Sequence, residues 1–384
     1  MKVLRVIASV DPSGGGPIEG LKRSALVCEK HGWATEVVSL DDPNSQCVKQ
    51  FPGVVHGLGP TFRRYGYIHG FSSWIVENAK RYDAAVVHGL WNHASVAGGS
   101  GLYESGLPYV VFTHGMLDPW FRKQYPVKHL LKQAFWWACQ GKVLSRAEYV
   151  LFTTEEERAL ASGEFLGNEY KSRVVAYGAS EPVGDPVEKV RQFRASVPEL
   201  GERPYLLFLS RIHEKKGCDL LVDAFANSAL RDQDVDLVIA GPDHSGLKSK
   251  LIEKAAKLGV SRLIHWPGML EADRKWGAFL GSEAFVLPSH QENFGIVVAE
   301  ALACGAPVLT TNKVNIWREV EEYDAGYIAD DTSSGVLSLL DRWSRTSRGD
   351  RESMRSAARR CFMQRFNVES AGMDLMKVLS EIKR

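Results

Sequence analysis

Short, nearly continuous apolar runs punctuate this chain and alternate with segments long enough to be helices. They include Val3 to Val10, Ala84 to His88, Tyr109 to Phe112, Tyr149 to Phe152, Tyr205 to Leu209, Val235 to Ala240, Ala284 to Leu287 and Val308 to Thr311. A strand that is apolar on both faces needs cover on both, and strands of parallel sheets flanked by helices have it. The pattern therefore predicts an α/β chain of doubly wound type. At 384 residues the chain is long for one core, so two domains are expected. Glu181-Pro182-Val183-Gly184-Asp185-Pro186, with Pro and Gly clustered between periodic segments, is the natural linker.

In the first half, Val3 to Val10, a helix over Ile18 to Lys30 and a strand over Thr35 to Leu40 make a βαβ unit. Its loop, Asp11-Pro12-Ser13-Gly14-Gly15-Gly16-Pro17, nearly matches Gly-x-Gly-x-x-Gly, but Glu19 stands where the last glycine belongs, so a nicotinamide reading is rejected. The glycines let backbone amides approach an anionic or polyhydroxyl ligand at a helix N-terminus, or they serve only a tight turn. Residues 41 to 80 read as loops leading into a helix over Phe71 to Arg81. Two strands then end in histidine-bearing turns, Gly89-Leu90-Trp91-Asn92-His93 and Thr113-His114-Gly115-Met116. Open α/β sheets bind ligands at that edge, although a lone histidine is more often structural. Trp120 to Lys142 is the one basic, aromatic stretch, with Leu130, Leu131, Ala134, Trp137 and Ala138 at helical spacing and Lys128 and Lys132 elsewhere on the turn. It suits peripheral contact with an anionic membrane, or a surface helix packing its stripe on the sheet. Tyr149 to Glu155 and Arg173 to Gly178 read as the last strands of the first domain.

In the second half, the strand Tyr205 to Ser210 leads into Arg211-Ile212-His213-Glu214-Lys215-Lys216-Gly217 and then a helix near Cys218. Arginine and lysine beside a helix N-terminus make a diphosphate site in physical terms; the alternative is a solvated basic turn. Further on, Ser289-His290-Gln291-Glu292-Asn293-Phe294-Gly295 opens a helix from Ile296 to Ala303 that is apolar or small on every side except at Glu300. Such a helix is buried, and a lone carboxylate on it is costly unless paired. Eight residues of helical rise span about 12 Å, so Glu292 and Glu300 suit the two ends of one elongated polar ligand. Otherwise Glu292 caps the helix and Glu300 makes a buried ion pair. Phe366 begins a last amphipathic helix, with Met373, Met376, Leu379 and Ile382 at helical spacings.

Glu-x7-Glu with Asn-Phe-Gly after the first Glu and Ala-Cys-Gly-Ala-Pro-Val after the second resembles the donor-site signature of the retaining glycosyltransferases of family four, which have the GT-B fold. Ser-Arg-Ile-His-Glu-Lys-Lys-Gly is similar to that family's phosphate-binding motif, and Thr113-His114-Gly115 to its active-site histidine. The resemblance is most specific over residues 205 to 311 and looser over 1 to 180. It implies an acceptor-binding domain over 1–180, a nucleotide-sugar-binding domain over 181–365, and a C-terminal helix, 366–384, crossing back to the first domain, with the active site in the cleft between two Rossmann-like sheets. The implied catalytic residues are His114, Arg211, Lys216 and Glu292. The donor would also meet Gly15, Gly16, Gly268, Met269, Leu270, Asn293, Phe294, Gly295 and Glu300. Trp91, Asn92, His93 and Met116 are the acceptor candidates. The implied reaction moves a sugar from a nucleotide sugar to a hydroxyl acceptor with retention, by a front-face path in which the departing phosphate helps deprotonate the acceptor. No cofactor is expected and no metal, because Arg211 and Lys216 can neutralise the leaving diphosphate in place of Mg²⁺, and the chain reads as having no Asp-x-Asp metal motif. A GT-B epimerase or phosphorylase, and a non-catalytic nucleotide-sugar-binding protein of a polysaccharide assembly, are the alternatives.

Composition narrows the partners. Lys+Arg against Asp+Glu is 47 to 46, which offers nucleic acid no general attraction. Six scattered cysteines without metal-like spacing read as reduced thiols, and with no secretory leader or membrane span in view the expectation is a cytoplasmic protein that touches the inner membrane face. A lipid-linked glycan of surface polysaccharide or glycoconjugate biosynthesis would suit that place. The residues do not distinguish UDP, GDP or ADP, nor the sugar.

Overall fold

The computed structural model describes residues 1–61 and 65–383, less the side chain of Lys123. Of the residues covered above, 62–64 within the reading of 41 to 80, that lysine side chain and Arg384 lie outside the described ones. The chain divides into two compact units, Ala179–Asn367 and a discontinuous one in which Met1–Gly178 is joined by the segment starting at Val368.

Among the described residues the first unit holds a seven-stranded sheet of β1 (Lys2–Ile7), β2 (Ala34–Ser39), β3 (Val54–Gly57), β4 (Ala84–His88), β5 (Tyr109–Phe112), β6 (Tyr149–Phe152) and β7 (Ser172–Val174), in the order 3-2-1-4-5-6-7. Every pairing is parallel. Successive side chains of a strand face opposite ways, and the burial follows suit. Val3, Ala84, Val86, Val110 and Phe112 pack with Leu375, Val378 and Leu379 of the C-terminal helix, whereas Leu4, Val6, Ala85, Val87 and Val111 pack with Phe71, Ile75, Leu102 and Trp136 on the other face. Each of those C-terminal side chains contributes about 2 kcal/mol of apolar burial.

Three local expectations are corrected. Residues 41 to 80 contain the edge strand β3 and a short helix, Gln46–Lys49, which a half-exposed edge without an apolar run does not announce. The C-terminal helix, Val368–Ile382, buries Ala371, Gly372, Leu375, Val378 and Leu379 and leaves Met373 exposed. The buried face is turned toward Gly372 because a Cβ there would meet Val27 Cγ1 at 2.4 Å, so the helix Gly16–Lys30 sits against the bare backbone. Third, the stripe after Trp120 does not pack on the sheet. Leu130, Leu131, Ala134, Trp137 and Ala138 are all exposed, Leu130 and Leu131 at 69% each, and the buried residues of that stretch include Gln133, Trp136 and Gln140.

The second unit holds β8 (Tyr205–Leu209), β9 (Asp236–Ala240), β10 (Ile264–Gly268), β11 (Ala284–Leu287), β12 (Val308–Thr311) and β13 (Gly326–Ala329), in the order 10-9-8-11-12-13. These strands also pair in parallel. In each sheet the order reverses once, between β1 and β4 and between β8 and β11, and ligands of open α/β sheets bind beyond the strand ends at such a reversal.

Candidate active site

In the second unit the loops after β8 and β11, the strands flanking the reversal, are stitched together. The Lys215 carbonyl accepts from His290 N and Ser289 Oγ, both at 2.9 Å. Gly217 permits this approach: its φ is 67°, and a Cβ would lie 2.0 Å from the Pro288 carbonyl oxygen. The stitch brings Lys216 Nζ onto Glu292 Oε1. Lys216 is 6% exposed; burial first, then Arg211 and Lys215, push its ammonium down to about 7, while the carboxylate it touches favours the charged form. A second anion at this place would relieve the crowding of Arg211, Lys215 and Lys216.

Glu292 does not cap the following helix. Its backbone pairs instead with residues 313 to 315, Glu292 N donating to Lys313 O at 2.9 Å and Asn315 N to Glu292 O at 3.1 Å. The N-cap is Gly295, at φ 74°, which offers no side chain to the first-turn amides of Ile296–Ala303. The asparagine before it, Asn293, keeps its Oδ1 buried without a hydrogen-bond partner among the described residues, and Phe294 packs edge-on against Phe366. Glu300 is 4% exposed and makes the buried ion pair: Lys275 Nζ holds its Oε1 at 2.9 Å. Gly268, Met269 and Leu270 end β10 and leave it, two strands from β11's neighbour; Gly268 O accepts from Gly241 N at 2.8 Å, Leu270 is buried and Met269 is 60% exposed.

In the first unit, β4 and β5 deliver His88 and His114, whose rings stack at 5.4 Å with Nδ1 of His88 3.1 Å from Nε2 of His114. His114 stands at φ 50°, a conformation non-glycine residues avoid. Glu157 holds it there. One carboxylate oxygen accepts from Thr113 Oγ1 at 2.8 Å and Gly115 N at 2.7 Å, the other from Thr153 N and Oγ1, both at 2.7 Å. Burial pushes His114 down to about 4, so its imidazole is neutral at ordinary pH. Gly15, at φ 73°, caps Gly16–Lys30 with open space at both Gly15 and Gly16, and Tyr177 Oη donates to Gly16 O. The acceptor candidates have internal work. Asn92 caps the helix His93–Glu104 through Ser95 N at 2.9 Å, and His93 Nε2 donates to Ile68 O at 3.0 Å amid Tyr65, Tyr67 and Phe71. Trp91 Nε1 donates to Met116 O at 3.1 Å, and Met116 Sδ accepts from Leu90 N at 3.0 Å.

Two family models divide the chain almost as its two units do: "Glycosyl transferases group 1" matches residues 189–360 and "Glycosyl transferase 4-like domain" residues 15–178. The chain belongs to the group 1 glycosyl transferases. Among curated relatives of this chain are D-inositol 3-phosphate glycosyltransferases. That of Rhodococcus jostii is 29% identical over 199 residues, 50% of this chain and 43% of that protein; that of Frankia alni is 32% identical over 182 residues, 44% and 43%. The chain thus spans less than half the length of these relatives. Among solved structures, Anabaena HepE in complex with UDP and glucose superposes with a TM-score of 0.75 at 19% identity, covering 99% of this chain and 100% of that one. The sucrose-phosphate synthase of Thermosynechococcus elongatus gives 0.74 at 17%, covering 99% of each. The fold is α/β, GT-B.

Three groups of this chain escaped sequence reasoning. Glu157 had a signal, since Thr154-x-x-Glu157 has capping-box spacing and Thr154 Oγ1 does accept from Glu157 N at 3.0 Å. Lys275 had none; it lies on a separate helix, Ala272–Leu280, and reaches Glu300 only through the fold. Asp232, Asp234 and Asp236 do have Asp-x-Asp spacing, but at the start of β9, away from the strand ends that carry the site, and Asp236 is taken up by His265 at 2.6 Å and Arg203 at 2.7 Å.

Proposed function

We propose that this chain transfers a sugar from a nucleotide-sugar donor to a hydroxyl acceptor with retention of anomeric configuration and without a metal. The observation that carries the reading is the Lys216 and Glu292 contact at the strand reversal of the second unit, beside Arg211 and the uncapped helix start at Ile296. Donor binding separates that pair: the diphosphate takes Lys216 and Arg211 as charge-assisted partners, and Glu292 turns to the hydroxyls of the sugar. Asn293 Oδ1 is a ready acceptor for another hydroxyl. Glu300 receives the ribose while Lys275 keeps hold of Oε1. As the glycosidic bond to the leaving phosphate breaks, charge develops on the diphosphate, where Arg211, Lys216 and the first-turn amides are already aimed. Neutral His114 serves as a hydrogen-bonding wall to the sugar rather than as a base.

The acceptor in this reading is a lipid-linked glycan, and the outward stripe supports membrane contact. Val127, Leu130, Leu131 and Trp137 are exposed at 71, 69, 69 and 53%, with Lys128 nearby over the Tyr125 ring. Apolar side chains beside lysines on one surface helix suit an anionic bilayer face. No helix among the described residues is long and apolar enough to cross a membrane. UDP-, GDP- and ADP-sugars tested by thermal shift, followed by product analysis with an alcohol acceptor, address the function directly. A donor that raises stability and yields a product of unchanged anomeric configuration supports it. Turnover of donor without any acceptor would point to an epimerase, and binding without turnover across acceptors to a non-catalytic role.

A further inference from the structure

His114 is the proposed sugar-facing histidine, and which ring nitrogen carries its proton decides what it offers a ligand. Its Nε2 is engaged by His88 Nδ1 at 3.1 Å. His88 is 4% exposed, stacked between Phe112 (5.9 Å, 16°) and His114 (5.4 Å, 15°), and its own Nε2 is buried without a hydrogen-bond partner among the described residues. A small cavity lined by His88, His114, Tyr177, Gly20, Gly372 and Leu375 adjoins the pair. The pair can share its one proton in two ways. If His114 donates, His88 must carry a proton on Nε2, leaving a buried N–H with nothing to receive it; orphaned buried donors are rarer and costlier than under-used acceptors. Burial first, then His114 and the buried Arg5 guanidinium on β1, hold His88 well below the usual imidazole range, so it stays neutral with a single ring proton to place. The proton therefore sits on His88 Nδ1 and is donated to His114 Nε2.

We infer that His88 is a positioning residue that fixes His114 as its neutral Nδ1–H tautomer, so that the ring presents a donor, not an acceptor, on its Nδ1 side. This rests on the functional reading above only for its purpose; the tautomer itself is a property of the free protein. A donor there suits a sugar hydroxyl or ring oxygen and excludes His114 from taking the acceptor's proton, which leaves that proton to the departing phosphate.

The test is ¹⁵N NMR of the full chain labelled at histidine, with His114 assigned by loss of its signals in His114→Gln. The expected spectrum shows His114 with a protonated-type Nδ1 and an unprotonated-type Nε2 at neutral pH. In His88→Phe, which keeps a ring in the stack and deletes the donor, His114 should shift to a mixture of tautomers. In His88→Asn, whose amide N–H falls near the place of Nδ1, the Nδ1–H form should return. Where transfer activity has been found, His88→Phe should lower kcat about tenfold with little change in donor KM, and His88→Asn should restore most of it. A wild-type His114 protonated on Nε2, or a spectrum unchanged in His88→Phe, overturns the inference whatever the protein's activity. A correct tautomer in a chain that transfers no sugar overturns the functional reading and leaves this one standing.

Discussion

Glu157→Gln offers a sharp test of how the His114 turn is held. The wild-type carboxylate is an acceptor on both oxygens, and it receives one backbone N–H and one hydroxyl on each: Gly115 N with Thr113 Oγ1, and Thr153 N with Thr153 Oγ1. Glutamine has one acceptor and one donor end, so whichever way its amide lies, an NH₂ faces one of these pairs. A hydroxyl can rotate to accept from it; the backbone N–H cannot. Glu157 is 4% exposed, so water does not relieve the orphan. One orphaned buried N–H costs about 1–3 kcal/mol, and exchange of charged for neutral acceptors at the other end about 1 kcal/mol more, for a total of about 2–4 kcal/mol. Thr113→Val, which removes one hydroxyl donor and orphans nothing, should cost about 1 kcal/mol. Urea unfolding followed by probes in the first unit measures both, and amide hydrogen exchange at Gly115 and Thr153 locates the loss. With the clamp weakened, His114 should relax from φ 50° and turnover should fall with it. An E157Q chain less than about 1 kcal/mol below wild type, or no worse than Thr113→Val, would refute the clamp.

The remaining predictions concern the other charged groups and the outward stripe. Lys216→Ala should leave folding nearly intact, because Glu292 keeps access to solvent with a side chain 19% exposed, yet depress turnover by on the order of 10²-fold, as read from steady-state kinetics. Lys275→Met strands the Glu300 carboxylate and should cost about 3 kcal/mol in chemical denaturation, unlike Lys275→Arg. His114 titrates near 6.5 when unfolded and about 4 when folded, so the unfolded chain binds the extra proton between those values. Its contribution of about 3 kcal/mol is therefore complete above pH 6.5 and lost as pH falls toward 4, which first-unit unfolding measured across that window will check. Leu130→Glu with Leu131→Glu should abolish flotation with anionic vesicles at low salt and leave thermal stability unchanged; unaltered flotation would remove the helix from any membrane contact.

Much of the fold was legible because buried parallel strands are written as contiguous apolar runs, and the reversal points deliver loops whose composition is chemically conspicuous. Arg211, Lys216, Glu292 and His114 stood out on those loops. What escaped depends on partners distant in sequence. Glu300 reads equally as a ligand group or as half of an ion pair until Lys275 is brought beside it from another helix. The stripe at Leu130 to Ala138 has the same spacing whether it faces inward or outward, and the burial of Gln133 and Trp136 decides its orientation. The edge strand β3 has one partner and little cover, so its sequence lacks the apolar run that marks its neighbours. Asn92 and His93 show how a polar turn at a strand end can be spent on capping and on holding Ile68 rather than on a ligand.

The discontinuity of the first unit bears on how the chain comes to be folded at all. Ribosomes deliver residues in order, at about 5–20 per second, so the sheet of Met1–Gly178 is complete long before the helix beginning at Val368 exists. Until it arrives, Val3, Val86, Val110 and Phe112 present an uncovered apolar face, while the continuous unit Ala179–Asn367 is free to close as soon as it emerges. The second unit is thus favoured to mature first although it is made second. Leu375, Val378 and Leu379 then act as a latch supplied only after the second unit has been made, and the nascent first unit is the stage at which a chaperone has most to offer.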